Sequence, residues 1–363
     1  MIRRALLVAS VSLSVSAPAL AAESRVTQEQ DGVGNTVFAR QMDGYGNVAV
    51  QLQEGSYNES SVLQVGSSLR AESRQADHRN WLSVTQAGIN SAASVSQTGA
   101  YNRASIYQDS AGAGHSQQVT QFGNGNSVNA QQYLGQGSWV TAYQHGPRHA
   151  LYLRQRFDSN SLQSAQSGFD NLAQVTQEGF HRGTLMQSGL RNEVRLDQVG
   201  TFGTVVASII SQSGTDNYAY IEQSASPVGN QVSLRQQGTA NSALIDESSF
   251  GGSVDFVQRG SANILTAIHS TWGGTIRGLS EGDGNRVSLE QYGQDNALEL
   301  AQSGDGNLVG SYQGGYQSVA TISQAGQANQ ASLDQSGGLW FESGVSASIV
   351  QQGAGNQSSV LQH

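Results

Sequence analysis

From Asn217 to Gln223 polar and apolar positions alternate strictly. Asn217, Ala219, Ile221 and Gln223 fall on one face; Tyr218, Tyr220 and Glu222 fall on the other. A period of two over six or seven residues predicts a strand with one buried face. The same pattern returns at Asn329-Gln-Ala331-Ser-Leu333-Asp-Gln335 and along most of the chain. Between strands lies a short glycine-bearing segment, from each glutamine to the next asparagine. Glycine there predicts a tight turn, because it accepts positive φ without a Cβ clash.

The glutamine that closes each strand is the marker of a repeat. From Gln30 the markers run through Gln41, Gln53, Gln64, Gln75, Gln86, Gln97 and Gln108, and continue past Gln223, Gln302 and Gln335 to Gln362. Of 30 marker positions 27 are glutamine, and 22 of the 29 steps are 11 residues long. Glu247, His269 and Ser280 replace the marker. Glycine stands two residues after the marker in 21 of 29 units, as at Gly32, Gly55, Gly99, Gly168, Gly214, Gly304, Gly326 and Gly353. Asparagine stands five after it in most units, as at Asn35, Asn102, Asn217, Asn296, Asn329 and Asn356. The unit is Q-x-G-x-x-N-x-a-x-a-x-Q, with a small or apolar residue at "a".

A strand of six and a turn of five make 11, and two units make one coil of 22. Such a period specifies an all-β parallel solenoid of two strands per coil and about 15 coils. Stacking in register places identical residues about 4.8 Å apart, as in amyloid. The inward glutamines and asparagines then form ladders, each amide donating to the next. Buried amides are tolerated because their neighbours satisfy them. The expected self-assembly ladder comprises Gln30, Asn35, Gln41, Asn102, Gln108, Asn217, Gln223, Asn296, Gln302, Asn329, Gln335, Asn356 and Gln362. No capping element is read at either end, so both sheet edges are expected to template another copy.

Irregular steps follow Gln41, Gln108, Gln132, Gln198, Gln223 and Gln335, and one residue is lost after Gln177. These read as loops on the solenoid rim. The longest insertion carries Trp340 and Phe341. The stretch 269–290, with two markers lost in succession, reads as a weak joint.

The N-terminus adds a compartment. Arg3 and Arg4, the apolar run Ala5 to Val15 and the small-residue site Ala19-Leu20-Ala21 read as a secretory signal peptide over 1–21, with the solenoid over 22–363. The apolar run is shorter than the ~20 residues of a membrane-spanning helix. Composition fits the repeat: only 12% of residues are charged and 37% hydrophobic, with 44 glycines and 3 prolines. There is no cysteine, and every basic residue is arginine. The net charge of −9 argues against a nucleic-acid partner.

The unit S/N-x5-Q-x-G-x-x-N-x5-Q resembles the curlin repeat of bacterial curli subunits. Ser24-x5-Gln30-x-Gly32-x-x-Asn35-x5-Gln41 and Ser91-x5-Gln97-x-Gly99-x-x-Asn102-x5-Gln108 carry the resemblance. It implies an extracellular amyloid fibre at the bacterial surface, serving biofilm matrix and adhesion. It also implies a nucleator or co-subunit and an outer-membrane secretion pore as partners.

No catalytic or cofactor chemistry is read from the chain. His115, His149 and His181 occupy the asparagine position, and Gly146 and Pro147 break any helix that would bring His145 and His149 to one metal. Asp283-Gly-Asn285 and Asp305-Gly-Asn307 read as turns. The other reading is a monomeric solenoid adhesin that binds a surface without polymerising; a regular outward ladder would favour it, and the outward positions vary freely.

Overall fold

The structure is a computed structural model and describes residues 23–200, 205–225, 228–336 and 344–362. The signal-peptide segment 1–21, Trp340 and Phe341 lie outside the described residues. Every regular element described is a strand, 30 in all, with no helix among the described residues. The fold is a parallel β-solenoid of two strands per coil.

Two units divide the chain, one ending at Ser159 and the other beginning at Asn160. In the first, Arg25–Val33 opens one six-stranded sheet and Thr36–Met42 opens the facing one, with strands assigned alternately to the two. In the second, Ser161–Phe169 and Leu172–Glu178 open two sheets of nine strands each by the same alternation. We call the sheet of Gln30 and Gln166 sheet A, and the sheet of Gln41 and Gln177 sheet B.

Pairing is in register, like upon like. Gln30 lies beside Gln53 and Gly32 beside Gly55; Asn102's strand neighbour Arg103 lies beside Trp81, and Gln108 beside Gln86. The alternation read from the sequence sets the faces. Asn217, Ala219, Ile221 and Gln223 are all buried to within 1% of full burial, while Tyr218 is 38% exposed. Aliphatic or small positions on the inward face are buried, as with Val62, Val84 and Ile106, stacked in register on sheet B of the first unit, and Leu234, Ile245 and Phe256 in the second.

The division into strand and turn differs from expectation. Many strands run nine residues and pass through the marker into the glycine, as in Arg25–Val33 and Val319–Gln327. Gly32, Gly55, Gly99, Gly168, Gly214, Gly326 and Gly353 therefore lie within strands, while Gly304 follows Ala297–Ser303 and is a turn residue as expected. The glycines within strands hold φ between +101° and +118°, still paired to the neighbouring coil. The chain reverses two residues later, at a residue in the left-handed region such as Tyr101 (φ 60°) or Asp216 (φ 56°). The need for glycine is steric between coils. A Cβ on Gly99 would lie 2.1 Å from the carbonyl oxygen of Gly123, one coil on. At Gly99 the arch thus nests on the next coil without a side chain; Asp77, in the same column, shows that a side chain is accepted at a lower φ of 76°.

Around the 269–290 stretch the strands Ile264–Trp272, Thr275–Glu281 and Arg286–Gln294 each pair in register with strands on both sides.

Candidate functional site

The repeat unit supplies a buried glutamine near the end of most strands and a buried asparagine before the start of many, and the fold joins these into columns. On sheet A, Gln30 Nε2 donates to Gln53 Oε1 at 2.9 Å, Gln53 to Gln75 at 2.7 Å, and Gln302 to Gln324 at 2.9 Å. On sheet B, Gln41 donates to Gln64 at 2.8 Å, Gln108 to Gln132 at 3.0 Å, and Gln335 to Gln362 at 2.9 Å. Gln223 accepts from Gln198 at 2.9 Å. The second N–H of the glutamine crosses the core to a backbone carbonyl of the facing sheet: Gln53 to Thr36 at 3.0 Å, Gln335 to Val319 at 3.3 Å. One amide therefore fastens two coils and two sheets. All of these glutamine-to-glutamine bonds donate toward the C-terminal coil.

The asparagine column works otherwise than a side-chain ladder alone. The Asn102 backbone N–H and Nδ2 both donate to Asn80 Oδ1, each at 3.0 Å, and Nδ2 also reaches the Gly123 carbonyl at 2.8 Å. Asn217 repeats this with Asn192 and Gly238, Asn329 with Asn307 and Gly353, and Asn356 with Asn329. Asn35 Oδ1 accepts from the Asn58 N–H at 2.9 Å. Asn296 Oδ1 accepts from Ser318 N–H at 2.7 Å. The asparagine carbonyl points toward the C-terminal coil, so the two columns carry opposite polarity. The expected glutamines, and the asparagines Asn35, Asn102, Asn217, Asn329 and Asn356, thus lie in antiparallel rails, whereas Asn296 stands on the other edge between Gly274 and Ser318 and has no asparagine neighbour.

Three features escaped the repeat count. The first is an asymmetry of the two edges. Every step from a sheet A marker to the next sheet B marker is 11 residues, whereas all six insertions and the deletion follow a sheet B marker. One edge is an uninterrupted arch, with asparagine in unit two at all nine rungs from Asn171 to Asn356; the other carries the loops. Numbering the markers alternately would have shown it.

The second is the histidines. His149 takes the asparagine's place in two contacts: its N–H donates to Asn126 Oδ1 at 3.0 Å, and its Nε2 lies 3.1 Å from the His145 carbonyl, where an asparagine Nδ2 would sit. His115 and His181 copy the second contact with Asp109 and Glu178 carbonyls. Their Nδ1 atoms are buried without a partner among the described residues, and burial holds both imidazoles below their ordinary pKa.

The third is that Glu247 and His269, read singly as lost markers, are consecutive rungs of one sheet B rail. His269 Nδ1 and Glu247 Oε2 are 2.5 Å apart, and both side chains are fully buried. Their spacing of 22 was the available signal.

Asp283 and Asp305 serve the arches: their carboxylates accept the Ser261 and Asp283 backbone N–H groups at 2.8 and 2.9 Å. Among the described residues no three His, Cys, Asp or Glu side chains converge on a point a metal could fill. No described helix is long and apolar enough to cross a membrane.

No protein-family model matches this chain, and no curated protein matches it.

Proposed function

We propose that this chain is a secreted structural subunit that stacks end to end into extracellular, curli-like amyloid fibres used for biofilm matrix and surface adhesion. The observation that carries the proposal is the chemistry of the two terminal coils. They bear the code of the ordinary interior coils, yet half of each rail is unspent among the described residues. Gln30 and Gln41 donate forward, and no donor reaches their Oε1 atoms. Gln351 and Gln362 accept from Gln324 and Gln335, and their own N–H groups reach only the backbone. Val26, an inward position, is 40% exposed where its neighbour Ala49 is fully buried. Gly353 keeps the φ of its column, +104°, although its ideal Cβ would meet nothing closer than 3.6 Å.

The ends are complementary to each other and not to themselves. The C-terminal coil offers glutamine N–H groups and asparagine oxygens; the N-terminal coil offers the reverse. Such a heterologous contact does not close, and it generates a filament. The secreted location rests on the 1–21 segment, and the nucleator and secretion-pore partners rest on the curlin resemblance; catalysis has no part in this proposal.

The test is polymerisation of the purified chain after residue 21. It is expected to form unbranched fibres by electron microscopy, with a 4.7–4.8 Å meridional reflection and a thioflavin signal. Q351A/Q362A or Q30A/N35A is expected to slow growth about tenfold or more, and R40A, on the outward face, about twofold or less, since only the former leave buried donors or acceptors unpaired at the joint. A chain that stays monomeric for days at tens of micromolar would overturn the proposal and favour the monomeric adhesin.

A further inference from the structure

Stacking like upon like has a weakness that this fold must meet. When every rung is glutamine, a strand satisfies its amides equally well against the neighbouring coil or against the one beyond, with a coil looped out between. Register is weakly specified by uniform sequence, and the closure cost of looping out one coil grows only slowly with length.

One pair of adjacent coils in the second unit is built differently. Here the residues 22 apart are unlike and complementary at position after position. Glu247 faces His269 across 2.5 Å in the buried rail. The core ring of Phe256 fills the space left by Gly278, where a Cβ would lie 2.0 Å from Cε2 of that ring. Phe250 stacks on Trp272 at the rim, with centroids 4.6 Å apart.

The two arches are re-coded together to fit. The usual order, glycine at marker plus two and asparagine at marker plus five, becomes Ser249 with Gly252 and Thr271 with Gly274. The Ser249 hydroxyl donates to Glu247 Oε1, and accepts the Gly252 N–H at 3.0 Å. Thr271 Oγ1 lies 3.1 Å from His269 Nε2 and accepts the Gly274 N–H at 2.9 Å. Each hydroxyl thus takes the acceptor role that an asparagine oxygen has elsewhere. Glycine is required at the fifth position because a Cβ on Gly252 would come within 2.4 Å of His269 Cε1, and one on Gly274 within 2.9 Å of its Nε2.

The exchange has a visible cost. Gln291, the next rung, keeps a buried Oε1 with no donor among the described residues, and no glutamine bond links Gln223 to Glu247. A glutamine pair would have continued the rail on both sides. Stability therefore does not account for the exchange, and pairing specificity does: a buried acid and base can each be satisfied by the other and by no glutamine rung without leaving an unpaired ionisable group.

We infer that the coils carrying Glu247 and His269 are a register key, which fixes the stacking of the second unit to one alignment. Paired glutamines set how coils stack; this pair sets which coil stacks on which. The inference concerns folding of a single chain and stands apart from fibre formation.

The absence of cysteine makes the test direct. Asp255 and Arg277 are Cα partners on the outer face of sheet A, and Glu299 is the next rung beyond. In the native register D255C/R277C bridges, while D255C/E299C lies two strand spacings apart, too far for a disulfide. Full-length chain is refolded from denaturant at high dilution, oxidised and mapped by peptide mass spectrometry. With the key intact, D255C/E299C bridging is expected only at a trace level. E247Q/H269Q is expected to fold and to raise that bridge about tenfold or more, since no buried ionisable group is then left unpaired by the skipped alignment. The exchanged pair E247H/H269E, received by two arches that both carry a hydroxyl and a glycine, is expected to keep the trace level. Unchanged bridging in E247Q/H269Q would overturn the inference. So would failure of E247Q/H269Q to fold, because the pair would then be needed for stability and not for alignment.

Discussion

At the scale of the residue, the two amides of the repeat do unlike work. Glutamine reaches across the coil step with its side chain, so its column is a rail of side chains. Asparagine is one methylene shorter and holds the neighbouring backbone. The alternation of the sequence places both inward, and that much is legible without coordinates. Which group each amide binds is not legible, since it follows from side-chain length and from where the arch carbonyls point. Histidine at the asparagine position is a case where chemistry explains a substitution the pattern only tolerates. A neutral imidazole offers one N–H at the distance of Nδ2 and leaves its other nitrogen dry, as in His115 and His181. Burial keeps both below the ordinary value of about 6.5. The unfolded chain takes up these protons as pH falls through that value, while the folded chain does not. Stability contributed by the neutral rings is thus present above about pH 6.5 and is lost below it. The urea midpoint is expected to fall between pH 7.5 and 5.5, and to fall less in H115N/H181N than in the parent. A larger fall in the double variant would contradict this.

At the scale of the element, the arch decides what the strand can do. The sequence marks the glycine and suggests a turn; the structure shows a nesting point, with the reversal displaced to the left-handed residue before asparagine. The error has a physical source, because glycine signals positive φ without saying whether a turn or a neighbouring coil demands it. The distinction is measurable. G99A places a methyl against the Gly123 carbonyl at φ +106° and is expected to cost about 3 kcal/mol in chemical denaturation. A Cβ on Gly284 would meet no atom within 4 Å at φ +67°, a region asparagine accepts, and G284N is expected to change stability by less than about 0.5 kcal/mol. Edge asymmetry belongs to this scale too. It was present in the step lengths, and only pairing the markers by coil, 22 residues apart, separates the invariant edge from the one that takes insertions.

At the scale of the molecule, each coil of a solenoid touches only its neighbours, so stability is a sum of local terms. I245A removes a fully buried side chain in the strand Ser242–Glu247. Hydrogen exchange is expected to report a loss of about 3 kcal/mol there and in the paired strands Tyr218–Ala225 and Ile264–Trp272. Little change is expected at Gln330–Gln335 in the same unit. Uniform loss across the unit would show a cooperativity that nearest-neighbour stacking lacks. The solenoid itself was legible because one short code is repeated many times, and repetition makes register and faces redundant. The division at Ser159 and Asn160 was not legible, because no break in the code accompanies it.

The opposed rails have an electrical consequence. In a helix every peptide dipole points one way and the ends acquire partial charge. Here glutamine amides direct their N–H groups toward the C-terminal coil, and the asparagine carbonyls point the same way, so the two columns of dipoles oppose each other. The strand backbones add little net moment of their own. Two glutamine rails face one near-complete asparagine column, so the asparagines offset part of the glutamine moment along the stacking axis and not all of it. One copy tells the top of another from its bottom mainly by touch, at hydrogen-bonding distance, where unspent donors meet unspent acceptors.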